Sequence, residues 1–139
     1  MKVLMLANEF PSFHPMRGKP TGFAEKFLRG EKIHTCRLNA EVFWKTGDIV
    51  SVRRWTGKAY QSVQTVIAEP VALRVVPVTI EFTRNGWLFV TLDGLKLDSR
   101  EFAKNDGLSF IDFLNWFFPR RKKDMFDKWV GSCVFFGRM

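Results

Sequence analysis

The chain is short of cysteine, of acidic residues and of long apolar runs, and each shortage removes a class of explanation. Cys36 and Cys133 are its two cysteines, and neither sits in a Cys-x-x-Cys or Cys/His array. A disulfide framework is therefore not implied and a zinc site is not expected, because both need grouped ligands. No stretch approaches the roughly 20 apolar residues of a membrane helix. The N-terminal run Val3-Leu4-Met5-Leu6-Ala7 is too short for a signal-peptide core and gives way to Asn8-Glu9. The expectation is a cytoplasmic protein with no membrane partner. Acids are outnumbered too: 14 Asp and Glu stand against 22 Lys and Arg, for a formal charge of +8. Such a basic field favours anionic partners, with a plain solubility charge as the competing account.

What the chain does have is phenylalanine, 15 residues against a single Tyr. Phe carries no polar handle and is cheaply buried, so most of these rings belong to a core. With 46% hydrophobic and 26% charged residues over 139 positions, the composition fits one globular domain spanning residues 1–139.

Along the chain, Lys2 to Ala7 reads as a buried strand. Phe10 to Thr21 carries Pro11, Pro15, Gly18 and Pro20 and reads as an ordered loop, with Phe13 to Thr21 a candidate lid. Thr21 is placed to cap a helix whose apolar face is Phe23, Ala24, Phe27 and Leu28, ending at Gly30. Strands are predicted over Ile33–Leu38, Ile49–Trp55, Val63–Ala68 and Val76–Thr83. In the last, Pro77 indicates an edge or a bulge. Asn85-Gly86 signals a hairpin to Trp87–Leu92. Asp98-x-x-Glu101 and Ser109-x-x-Asp112 open two late helices, the second closed by Pro119. Phe110, Phe113, Trp116 and Phe117 on that second helix read as core. Cys133 to Arg138 is a last strand. These signals predict an α+β domain around a small mixed β-barrel, with one early helix and a late helical pair.

The densest chemistry lies in Gly30-Glu31-Lys32-Ile33-His34-Thr35-Cys36-Arg37. So many polar groups at a strand entrance are costly to bury unless paired, so they are expected at a cleft or in solvent. Alternation puts His34 and Cys36 on one face, Thr35 and Arg37 on the other. By residue type, Thr35 can act as a nucleophile, and Lys32 or His34 as a base. Arg37 can hold a phosphate or carboxylate. Ordinary strand residues would look the same. Trp44, Trp55 and Phe13 are candidate base-stacking rings, each also a candidate for the core. Arg17, Lys19, Arg53, Arg54 and the run Arg120 to Lys123 are candidate phosphate contacts.

The pattern Gly30-x-Lys32-x-x-Thr35-x-Arg37, followed by Lys45-Thr46-Gly47-Asp48 and a strand, resembles the ASCH domain. The resemblance covers roughly Phe23 to Phe118. It implies a PUA-like barrel and an association with RNA or a modified ribonucleoside. Within that family the chain is similar to small bacterial amidohydrolases that deacetylate N4-acetylcytidine. Their triad of lysine, threonine and glutamate carries over onto Lys32 and Thr35, with Asp106 in the glutamate's region. Aspartate is one methylene shorter, and Asp106 also reads as a cap for the following helix. The resemblance implies chemistry without metal or other cofactor. A non-catalytic RNA-binding module, and a metal-independent ribonuclease using His34 and Lys32, are the alternatives.

Overall fold

The longest element is set by a run rich in β-branched residues, Val66 to Ile80, which favours a pleated surface. In the computed structural model, which describes residues 1–122 and 125–138, this run lies within β4 (Gln64–Phe82). Around it are β1 (Lys2–Met5), α1 (Phe23–Leu28), β2 (His34–Arg37), α2 (Ala40–Phe43) and β3 (Ile49–Trp55). After it come β5 (Leu88–Leu92), β6 (Leu95–Leu97), α3 (Ser99–Asn105), α4 (Phe110–Phe117) and β7 (Asp127–Arg138). Over the described residues the fold is mixed α+β, a seven-stranded sheet with four helices.

β4 has two successive neighbours on one side. Its first half pairs antiparallel with β3, from Gln64↔Trp55 to Ala72↔Ile49, and its last five residues pair with β5. On its other side β7 runs antiparallel from Val71↔Arg138 to Phe82↔Asp127. The sequence reads β4 as two strands, but it is continuous. Pro70 falls where the β3–β4 register slips between Val50 and Val52, a bulge in which a missing N–H does no harm. Pro77 sits in the interval between β3 and β5, where its carbonyl accepts from Asp93 N–H at 3.0 Å.

β1 pairs in parallel with β3, and β2 pairs antiparallel with β7. β1 and β2, like β6, are end strands of the sheet, and no ladder joins β1 to β2 among the described residues. The predicted closed barrel is therefore not what the ladders form: the sheet stops short of closure at a seam between β1 and β2. A side chain crosses that seam instead. Arg37 Nη2 donates to the Met5 carbonyl at 2.5 Å.

The helices pack against the sheet through Phe27, Phe102, Phe113, Leu114 and, just past α4, Phe118, all buried with Leu4, Val52 and Ile80. Each such side chain is worth about 1.5–3 kcal/mol when taken fully from water. Caps fix the helix starts. Asp98 accepts from the N–H groups of Arg100 and Glu101, and Ser109 accepts from Asp112. Thr21 acts one position earlier than predicted. Gly22 is the cap residue of α1, while Thr21 Oγ1 donates to Ala7 O and accepts from Phe23 N–H. No helix is long and apolar enough to cross a membrane among the described residues.

Candidate functional site

The sheet's open seam borders a cavity of about 940 Å³. Its floor comes from the end of β1 and from β2, through Met5, Leu6, Thr35, Cys36 and Arg37. Phe23 of α1 and Trp116 and Phe117 of α4 form the walls, and the β3–β4 connection contributes Gly57 to Tyr60. Lys32 and Asp106 enter from just before β2 and just after α3. Asp106, 74 residues further along the chain, thus meets the Lys32–Thr35 segment in one hollow.

The way α3 ends explains how Asp106 gets there. Gly107 adopts φ +89°, Gly107 N–H bonds Lys104 O, and Leu108 N–H bonds Ala103 O. This pair of bonds is the Schellman ending, which glycine supports because it tolerates positive φ. It leaves the Asp106 carbonyl pointing out of the helix end, where Lys32 Nζ donates to it at 2.6 Å. Lys32 Nζ donates also to His34 O at 2.9 Å and lies 3.6 Å from Asp106 Oδ1. The ring of Phe23 covers the ammonium at 4.2 Å. The second lysine of this region, Lys26, donates to Gly107 O at 2.8 Å. Asp106 is thus not the cap of α4, as the sequence also allowed; Ser109 does that.

The carboxylate of Asp106 is turned toward His34, whose Nδ1 lies 3.1 Å from Oδ1. His34 is 1% exposed, stacked on Phe102 at 4.4 Å and edged by Phe135. Burial opposes its charge, but the bonded Asp106 carboxylate and the adjacent Cys36 thiol outweigh it, and the imidazole pKa is pushed up to about 9. Burial also lowers the Lys32 pKa, against the pull of Asp106. It lowers that of Arg37 and raises the Cys36 thiol well above its ordinary value. Thr35 Oγ1 accepts from Arg37 Nε at 3.4 Å, a long contact.

Lys32, Thr35, Arg37, Asp106 and Trp55 all line the cavity, as anticipated. Lys32 is at the cavity as expected but is also buried and paired, and His34, expected at a cleft or in solvent, is buried and paired away from it. His34 does not line the cavity and stands behind Asp106, so it is not presented to a ligand phosphate. Trp44 packs half-buried against the core, with the Arg37 guanidinium 6.0 Å away, and takes no part in the wall. Arg53 is held by Ser51 and Gln64 on the sheet. Arg54 pairs with Glu25 and lines a separate, shallower groove of about 390 Å³. Phe13 is half exposed and lines neither.

The loop from Phe13 to Thr21 is not a lid over the cavity. His14 pins it to α4, with Nδ1 accepting from Met16 N–H and Nε2 donating to Asp112 O at 2.9 Å. Phe10, His14 and Trp116 form a ring cluster there. Of the basic run, Arg121 closes α4 by donating to Asn115 and to Phe118 O. Arg120 and Lys122 are exposed, and Lys123 lies outside the described residues.

Sequence reasoning missed much of the wall. Trp116 and Phe117 read as core, and Phe10, Asn8, Lys58 and Tyr60 gave no pattern. Tyr60 did carry one signal, as the single tyrosine of a Phe-rich chain. It is 88% exposed, left-handed at φ 62°, and its ring lies 5.2 Å from that of Trp55. Comparison with known protein families, with curated proteins and with solved structures finds no match to this chain.

Proposed function

We propose that the chain is an ASCH-type domain with an incompletely closed PUA-like sheet, and that its cavity takes a modified ribonucleoside, hydrolysing the amide of an N4-acylated cytidine. The observation that carries this reading is the convergence of Lys32, Thr35 and Asp106 on one aromatic-walled cavity large enough for a nucleoside. Trp55, Tyr60 and Trp116 offer faces for a base.

In the reaction, Thr35 Oγ attacks the acyl carbonyl carbon and its proton passes to Lys32 in the neutral amine form that burial favours. Arg37 lies beside Thr35 to steady the oxyanion. Collapse expels cytidine, its amino nitrogen taking the proton from Lys32. Water then cleaves the threonine ester and releases the carboxylic acid. Asp106 balances the ammonium during the transfer and orients it.

The test is incubation of the purified chain with N4-acetylcytidine, with cytidine and acetate followed by chromatography. Thr35→Val and Lys32→Met should each abolish turnover while the far-ultraviolet circular dichroism stays native. Binding without turnover by the unaltered chain would remove the hydrolase and leave a binding module. That second reading has its own support. The Lys32 ammonium is tied to two backbone carbonyls and the Asp106 carboxylate to His34, as in a structural network. It calls for an RNA affinity that falls steeply with salt.

A further inference from the structure

The two cysteines are far apart in sequence, and no local motif links them. The fold brings them face to face. In the β2–β7 ladder Cys36 is the register partner of Cys133, and His34 is two residues before Cys36 on the same face. Phe136 N–H bonds Ile33 O, so the hydrogen-bonded pairs of this ladder include Ile33, Thr35 and Arg37. Cys36 and Cys133 then form a non-hydrogen-bonded pair, the kind whose side chains approach most closely. One imidazole nitrogen of His34 and the two Sγ atoms all lie within 4.8 Å of one another.

His34 supplies an independent observation. Its Nδ1 is committed to the Asp106 carboxylate, while its Nε2 is buried and has no hydrogen-bond partner among the described residues. An imidazole held through Nδ1–H by a carboxylate, with Nε2 unpartnered beside two thiols, is the arrangement found around metal-ligating histidines. The carboxylate fixes the tautomer and raises the basicity of the other nitrogen. We infer that His34 Nε2, Cys36 Sγ and Cys133 Sγ form a binding site for a zinc-class divalent cation, with Asp106 as the outer carboxylate.

The dimensions fit. Three atoms no more than 4.8 Å apart have a common centre within about 2.8 Å of each, and Zn–S and Zn–N bonds of about 2.3 and 2.0–2.1 Å need only a small contraction. One imidazole and two thiolates suit a borderline-soft ion rather than magnesium or calcium. The two thiol protons and, below about pH 9, the Nε2 proton of the His34 imidazolium leave to solvent on binding, and two thiolates neutralise the dication. Cys36 also lines the large cavity, which gives the cation, and a water as its fourth ligand, a path to the site. The absence of a Cys-x-x-Cys motif is no obstacle, because a ladder pair replaces sequence proximity.

The experiment uses the full chain, reduced and stripped with a chelator, and titrated with Co²⁺. A tetrahedral thiolate site gives a thiolate-to-cobalt charge-transfer band and intense visible bands, saturating at one equivalent per chain and bleached by one equivalent of Zn²⁺. Cys133→Ser and Cys36→Ser should each lose the charge-transfer intensity, and Asp106→Asn should weaken binding about 10–100-fold while keeping the band's position. Cys36 is only partly buried, so Cys36→Ser provides the answer even if Cys133→Ser fails to fold. No charge-transfer band in the unaltered chain, or a band of undiminished intensity in Cys36→Ser, overturns the inference. These spectra do not depend on turnover of any nucleoside, so this site and the proposed reaction stand or fall separately.

Discussion

Asp106 is the residue on which the buried Lys32 and His34 converge. Its carbonyl receives Lys32, its carboxylate faces Lys32 at 3.6 Å and His34 at 3.1 Å, and it is itself 5% exposed. Removing one member of such a group leaves the others buried without compensation, which costs about 3–5 kcal/mol. Asp106→Ala should therefore lower the unfolding free energy in urea by that order, and Asp106→Asn by less, since the amide oxygen still accepts from His34. The same pair fixes a pH dependence for the chelator-treated protein. His34 goes from an ordinary 6.5 to about 9 on folding. A pKa raised in the folded state adds stability that is complete below pH 6.5 and disappears as the pH rises through 9. The urea midpoint should fall across that window, and the fall should shrink in His34→Gln. An unchanged slope in His34→Gln would mean that another group carries the effect.

At the scale of elements, the ending of α3 is the piece that shapes the site. A Cβ on Gly107 would sit 3.2 Å from both the Lys32 side chain and the Phe23 ring, on a backbone at φ +89°. The left-handed backbone alone costs an L-residue about 1–2 kcal/mol, and the crowding moves Lys32. Gly107→Ala should thus destabilise by at least that amount in urea unfolding and weaken nucleoside binding together, whereas Asp98→Ala, at the other end of the helix, should cost about 1 kcal/mol and leave binding nearly intact. This contrast also marks how far the sequence could be read. Asp98, Ser109 and Gly30 were legible because capping chemistry is local. The β3 span was legible because its composition is. The continuity of β4 was not, because Pro70 looks like a break until a bulge accommodates it. α2 and β6, of four and three residues, are too short to leave a pattern. Within the site, Lys32, Thr35 and Arg37 share one short segment, while Asp106 came from resemblance. Trp116 and Tyr60 reach the cavity only through the packing of α4 and the path of the β3–β4 connection, and no local pattern carries that information.

At the scale of the whole molecule, the open seam decides both stability and access. A sheet that does not close leaves strand edges unsatisfied, and the edges of β1 and β2 face the seam beside the cavity. Arg37 is the observed tie between them, a charged donor on the Met5 carbonyl, and hydrogen bonds of this type contribute about 1.5–3 kcal/mol. The two margins are otherwise anchored on different partners, β1 on β3 and β2 on β7, so loss of the tie frees them without breaking a ladder. Arg37→Met keeps much of the apolar stem and removes the donor. We expect hydrogen exchange at the amides of residues 2–8 and 33–38 to accelerate by roughly tenfold or more, following the 1.4 kcal/mol per decade that links free energy to opening. The central amides of β4 and β7, protected only by global unfolding, should change no more than the overall stability does. Uniform acceleration across the sheet would show instead that the seam is not a separate opening unit. Acceleration confined to the margins would identify this edge as the part of the wall that yields when a ligand enters the cavity beside it.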